Sequence, residues 1–537
     1  APEIRRAQRR RRRGGRLFLR KPWVGYHPRE AGRHDRIVPD CAVRNHYTTE
    51  NDRKGSLKTM DKKQMFEALE RKKQQYFDAA DRIWEHPETS FEEYFAADLL
   101  CGLLEKEGFA VTRPLAGMET AFLGRFGSGH PVIGILGEYD ALYAMSQEAD
   151  AAQPKPTGEK GHGRGHNLLG AGSLAAAVAV KDYLQENGKE GTVIYYGCPG
   201  EEGGSGKAFM AREGVFDGLD AALTWHPGDI NAANSVSTLA VFKVHYHFTG
   251  RAAHAAACPQ LGRSALDAAE LMNIGTQFLR EHIIPEARIH YAIVNAGGKS
   301  PNVVQPEAEN SYYIRAPRLS QVRELKERVD DIARGAALMT GTSVDIRMIN
   351  STANVIPNDV LFDVMARNLQ EAPLPVYTQE EREYAKTFVN ALEAPSTLLS
   401  DMAVKLGEKA AGIAKLAAGR EIYDFPVPNF RLNMCLSSSS DVGDVSWNCP
   451  TSQIMAATMA AGPPRHSRQR TAQGKSAVAH KGMLYAAKVI AGSAVDLLED
   501  PKLLKQARQE YDRRLGGETY VCDIPADAKP VPTESDE

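Results

Sequence analysis

The sequence predicts an α/β protein, a mostly parallel sheet flanked by helices with a smaller α+β module inserted into it. Three observations carry this. Short apolar runs alternate with helical ones over the first 170 residues after Met60. After Pro227 the pattern changes to polar/apolar alternation in the order β-α-β-β-α-β. The 537 residues are 42% hydrophobic and 25% charged, which suits several folding units, each with a real core.

In order along the chain, residues 1–59 contain 17 Lys+Arg against 6 Asp+Glu, a net of +11. They show neither helical nor strand periodicity and are read as a basic, disordered or non-native extension. The stretch from Met60 to Phe109 has apolar residues at helical spacing broken at Pro87 and Gly108, giving two helices. Strands are expected at VIGIL (132–136), TVIYY (192–196) and AALTW (221–225), with a helix at 168–186 between the first two. Residues 237–352 form the inserted module: strands at 238–249, 288–294, 310–315 and 342–349, and helices at 264–281 and 320–338. Helical pattern resumes at 354–368, QIMAATMA (453–460) returns to the main sheet, and 501–537 reads as a trailing tail. The catalytic unit is thus expected from 60–236 and 353–500.

Several function classes fall away. Residues 60–537 carry 49 Lys+Arg against 62 Asp+Glu, a net of −13, so the body gives no reason to expect nucleic acid. There is no run of about 18 apolar residues to span a membrane. Seven scattered cysteines without CxxC spacing make no disulfide framework, and a reducing, cytoplasmic setting is the default.

In open α/β sheets reactive groups collect past the carboxyl ends of the strands. Here the strand ends run into Glu138-Tyr139-Asp140, Glu201-Glu202, His226 and His466, and His166 directly precedes the helix at 168. The histidines and the adjacent Glu201-Glu202 pair give the N and O donors that zinc or manganese takes. Adjacent carboxylates diverge, so one of Glu201 and Glu202 is free to act as a general base. His162, His245, His247, His282 and His480 are given no role in the site: His245 and His247 make one face of a strand polar, and His480 packs or caps in a helical run.

The motifs GEYDAL, GHGRGHNLLGAGSLAAA, GCPGEEGGSGK, TWHP, GRAAHAAACPQLGRSALDA, SSDVGDVSW and TAQGKSAVAHKGM together resemble the amidohydrolase branch of the dinuclear aminoacylase and glutamate-carboxypeptidase family. The resemblance spans about residues 60–500. It implies a zinc-peptidase-like catalytic domain with a ferredoxin-like dimerisation or lid domain, and one or two Mn²⁺ or Zn²⁺ ions per chain. The implied reaction is hydrolysis of an N-acyl or N-aroyl amino acid, p-aminobenzoyl-glutamate first. By position, Glu201 matches the general base, His166, Glu202, His226 and His466 metal ligands, and Asp140 the acid behind a ligand. His254 matches a histidine that serves a partner subunit's oxyanion, and Asn302 and Arg315 match positions that hold the substrate carboxylate. The implied assembly is a homodimer or a heterodimer with a homologous subunit.

One departure stands out. Arg164 occupies the place of the family's ligand cysteine, and a guanidinium has no lone pair to give. Three arrangements are open: Arg164 turned to solvent over a weakened two-metal site, a single metal, or a catalytically silent partner subunit. Arg465 and Arg468, beside His466, are a second departure, read either as a solvated loop or as attraction for an anionic substrate. A dipeptidase or aminoacylase on other N-acyl amino acids is the alternative activity.

Overall fold

The computed structural model describes residues 59–393, 407, 409–429, 431, 432 and 434–532. The basic segment lies outside them apart from Thr59. Eleven strands of three or more residues carry the described fold: β1 (Ala110–Thr112), β2 (Phe122–Ser128), β3 (Val132–Glu138), β4 (Gly191–Cys198), β5 (Ala221–Gly228), β6 (Ala232–Asn234), β7 (Ala240–Thr249), β8 (Arg288–Asn295), β9 (Glu307–Ala316), β10 (Ser343–Thr352) and β11 (Thr451–Ala457). The helices that position the site are α1 (Lys62–Glu85), α2 (Tyr94–Lys106), α3 (His166–Asn187), α4 (Gly206–Arg212), α5 (Ala265–Leu279), α6 (Leu319–Thr340), α7 (Asp359–Glu371), α8 (Ala477–Glu499) and α9 (Pro501–Leu515).

The larger sheet has the order β1-β2-β4-β3-β5-β11-β6. Its four central strands are parallel, and β1, β2 and β6 are antiparallel edges. Every residue of β3, β4 and β5 is buried, as strands covered on both faces must be. Helix α3 is buried along most of its length, and its run Ala175-Ala176-Ala177 lets it lie close against the sheet and against α1 and α8. None of the described helices is long and apolar enough to cross a membrane.

The second sheet, β8-β9-β7-β10, is fully antiparallel and is backed by α5 and α6. On β7 the even positions Phe242, Val244, Tyr246 and Phe248 enter a core of their own with Tyr312, Ile314, Val322 and Val329. The odd positions Val241, Lys243, His245 and His247 therefore share the opposite face. His245 and His247 each bond one oxygen of Glu309, at 2.7 and 3.0 Å, so they are structural as expected.

Residues 501–515 correct the expected tail. Asp500 caps the helix by accepting from the Lys502 amide, Pro501 occupies its first turn, and Ala507, Glu510 and Tyr511 are buried. The Glu510 carboxylate accepts the Asp359 and Val360 amides at 3.0 Å each and so caps the start of α7, while Arg514 pairs with it at 2.7 Å. The sequence hid this because a polar helix becomes cohesive only through what it caps. Glu510→Ala leaves two amides unsatisfied and is expected to cost about 1–3 kcal/mol, read as a lowered Tm in thermal denaturation, with Glu510→Gln recovering part of the loss.

Candidate metal centre

The parallel strands β3, β4 and β5 end side by side, and each delivers a polar group into an apolar interior. Glu138 is the last residue of β3 and has no exposed surface; Asp140 follows two residues on. His226 lies inside β5, and His166 opens α3. After β4, the turn Pro199-Gly200 presents Glu201 and Glu202. Two glycines make the approach possible. Gly165 has φ +83°, and a Cβ there would meet the Pro227 side chain at 2.9 Å; Gly200 has φ +65°, and its Cβ would meet the Phe91 ring at 2.8 Å. The Glu201-Glu202 turn is tied down from below: Glu93 accepts the Gly200 amide and Asp140 Oδ2 the Glu202 amide, each at 2.8 Å.

The donor atoms converge. His166 Nδ1 faces Asp140 Oδ1 at 2.8 Å, which fixes the ring with Nε2 pointing inward. That Nε2 and His226 Nε2 are each 3.3 Å from Glu138 Oε2. Glu202 Oε1 is 3.9 Å from His166 Nε2, and Glu202 Oε2 is 3.4 Å from His466 Nε2. Ligand atoms of Glu138, His166 and His226 lie within 4.8 Å of one another, as do those of His166, Glu201 and Glu202. Glu138 Oε2, His166 Nε2 and Glu202 Oε1 are buried and make no hydrogen bond. Buried donor atoms without hydrogen-bond partners at this spacing suit a cation among them, and neighbouring ligands of a tetrahedral ion with bonds of about 2.1 Å stand at just such a separation. The residues therefore fit a divalent metal ion.

The electrostatics agree. Burial and the adjacent Glu201 carboxylate push Glu202 up to about 8. Burial raises Asp441 to about 7 against the pull of Lys207. Burial alone would keep the Glu138 carboxyl protonated, but Lys207, His226 and His166 outweigh it and hold the group well below the usual range. Lys207 is itself fully buried and bridges Glu138 Oε1 and Asp441 Oδ1 at 2.7 Å each. Burial works against protonation of His166, yet Asp140, Glu138 and Glu202 carry it to about 10. Carboxyl groups thus outnumber cationic side chains here, and a divalent ion would displace the protons that Glu202 and His166 otherwise hold.

Of the residues singled out from the sequence, Asp140, His166, Glu201, Glu202, His226 and His466 come together. His466 reaches Glu202 from a backbone at φ +52°, a left-handed conformation. Arg315 stands across a cavity of about 460 Å³ from Glu201 and Glu202. His254 and Asn302 do not join them. They are exposed on adjoining segments of the second-sheet module, linked by the Ala255 amide to the Asn302 carbonyl at 2.9 Å and by pairing of His254 with Val303. Asn302 therefore does not share a carboxylate pocket with Arg315 in one chain. His162 is buried and bonds the Ile83 carbonyl at 3.1 Å, a structural role. Arg164 is not turned wholly to solvent: its Nη1 is buried without a partner, and its charge acts on Glu202, His466 and Arg470.

Sequence reasoning assigned no role to Glu138, Lys207, Asp441 or Glu93. A carboxylate closing the all-apolar run VIGILG, and a lysine in the short apolar helix KAFMA, were the available signals. Each is a charge where burial forbids one without a partner.

Residues 134–526 match the model of Peptidase family M20/M25/M40. The chain is 47% identical over 470 residues to one of the subunits of the p-aminobenzoyl-glutamate hydrolase of Escherichia coli, covering 87% of this chain and 98% of that protein. It is 30% identical over 454 residues to a mouse Xaa-Arg dipeptidase, covering 82% and 89% respectively. In fold it is similar to a dinuclear metal-binding peptidase of Bacillus subtilis, at a TM-score of 0.51 and 16% identity over 81% of this chain and 99% of that one. The metal-ligand cluster, the parallel sheet that builds it and these matches give one conclusion: the chain is a hydrolase belonging to Peptidase family M20/M25/M40.

Proposed function

We propose that the protein hydrolyses the amide of an N-acyl or N-aroyl amino acid, with p-aminobenzoyl-glutamate as the first substrate. The observation that carries this reading is Glu201, a free carboxylate at the cavity wall beside the Glu138–His166–His226 cluster. The E. coli relative, similar over almost its whole length, bears that substrate in its name. Manganese or zinc suits the imidazole and carboxylate donors. When bound, such an ion supplies Lewis acidity at the scissile carbonyl and lowers the pKa of water.

The residues of the chain do the rest. Glu201 takes the proton of the attacking water and returns it to the leaving nitrogen. Asp140 fixes the His166 tautomer and ring, and through its other oxygen it fixes the Glu202 backbone. Lys207 keeps Glu138 ionised in the interior and ties it to Asp441. We assign His254 and Asn302 to the active site of a partner subunit, either a second copy or a homologous chain. Their support is exposure on the module while the chain's own cavity lacks them. The same module, residues 237–352, is assigned to dimerisation and closure over substrate, because the cavity draws on both sheets. A cytoplasmic setting accords with six unpaired cysteines among the described residues.

Arg164 places a fixed positive charge at the Glu202–His466 half of the site. One ion per chain, held at Glu138, His166 and His226, follows from that charge. A second reading, a binding subunit without turnover of its own, is favoured by the same residue.

Two outcomes are expected. Glu201→Gln lowers kcat for p-aminobenzoyl-glutamate by about 10²–10⁴-fold with little change in KM, measured by steady-state release of p-aminobenzoate; an unchanged kcat contradicts the assignment. Metal analysis after loading with Mn²⁺ or Zn²⁺ gives one ion per chain in the parent and two in Arg164→Cys. Hydrolysis by the loaded parent supports the enzyme reading, and bound metal without hydrolysis, restored by cysteine, supports the silent-subunit reading.

A further inference from the structure

The cavity has two walls of opposite charge. The wall at the strand ends carries Glu201, Glu202 and Asp441; the wall supplied by the second sheet carries Lys243 and Arg315 and no carboxylate. Elsewhere on this same sheet face charge is matched side by side: Glu309 alone takes up His245, His247 and Arg347. The matching stops at the cavity. Neither Lys243 nor Arg315 makes an ion pair with any carboxylate among the described residues. Arg315 is aimed by neutral groups only: its Nη1 donates to Ser439 Oγ at 2.7 Å, Ser439 donates in turn to the Leu239 carbonyl, and the guanidinium lies 5.2 Å from the centre of the Tyr313 ring.

The backbone sets the two cations as neighbours. Lys243 of β7 stands opposite Tyr313 of β9, and Arg315 stands opposite Val241, so both side chains belong to one face, two positions apart. The pairing of β7 with β10 is interrupted between Lys243 and Val244, an irregularity of the kind that re-aims a side chain. A half-buried cation without a counter-ion is costly unless a ligand supplies the charge. One carboxylate can satisfy one of these two cations; an amino acid with a second carboxylate satisfies both.

We propose that Lys243 and Arg315 form a paired carboxylate reader that selects N-acyl derivatives of acidic amino acids, Arg315 taking the α-carboxylate and Lys243 the side-chain carboxylate. The inference deepens the amidohydrolase reading and rests on it. It makes Lys243 a specificity-determining residue: removing its charge lowers the preference for a dicarboxylate over a monocarboxylate, whereas loss of a merely structural lysine lowers both alike.

The test uses the full chain. The ratio of kcat/KM for p-aminobenzoyl-glutamate over p-aminobenzoyl-alanine is measured in the parent, in Lys243→Met and in Lys243→Arg. Binding of N-acetyl-L-glutamate and N-acetyl-L-norvaline is measured by calorimetry in the same three chains carrying Glu201→Gln. The ratio and the binding preference are expected to fall about 10- to 100-fold in Lys243→Met and to be retained largely in Lys243→Arg. Equal losses for both ligands, or an unchanged preference in a folded Lys243→Met protein, overturn the proposal. If the parent hydrolyses neither conjugate while the binding preference and its dependence on Lys243 persist, the amidohydrolase reading falls and the carboxylate reader stands.

Discussion

The carboxylate of Glu138 has no exposed surface, and it is tolerated in ionised form only because cationic and imidazole groups crowd around it. Lys207 neutralises one oxygen; the other faces the inward nitrogens of His166 and His226. Asp140 holds the His166 ring by Nδ1, so Nε2 is the nitrogen that faces inward. The cluster therefore fits a divalent ion, which would take the place of the His166 proton. The surrounding architecture serves this requirement: a parallel sheet brings three strand ends together, α3 starts on a histidine, and two glycines let turns press close enough for the ligands to meet.

The second sheet contributes to the same chemistry from the opposite side. Asn350 of β10 donates to the Gly203 carbonyl at 3.0 Å, and Ser205 and Thr352 share a hydroxyl contact at 2.6 Å, so the Glu201-Glu202 turn is braced by the module that supplies Lys243 and Arg315. The serine run at 437–440 completes the junction: Ser439 orients Arg315, and Asp441 follows at once to meet Lys207. The Glu201-Glu202 turn and Arg315 are thus held by one connected hydrogen-bonded frame, and a shift of the module alters the distance between them.

Much of this was legible in the sequence because strand burial and strand-end chemistry are local signals. VIGIL, TVIYY and AALTW are too apolar to be half-exposed, and alternation in TLAVFKVHYHFT separates Phe242, Val244, Tyr246 and Phe248 from Lys243 and His245. The ligand candidates His166, Glu202, His226 and His466 follow from where those strands end. What was not legible depends on contacts between distant segments. Lys207 meets Asp441 across 234 residues, and Glu510 caps α7 across some 150. The motif around Glu138 was visible, but its role is set by His166 and His226 standing 3.3 Å away, which no single segment encodes. Arg164 is the reverse case, a local departure whose meaning appears only when its charge is found beside Glu202 and His466.

The central claim is that Glu138, His166 and His226 together hold a divalent ion. It is tested most directly by crystals of the Mn²⁺-loaded protein and an anomalous difference map at the manganese edge. The account predicts a peak among Glu138 Oε2, His166 Nε2 and His226 Nε2, lost in Glu138→Gln crystals. A manganese peak elsewhere in the loaded protein, or one at this site that survives Glu138→Gln unchanged, would contradict it.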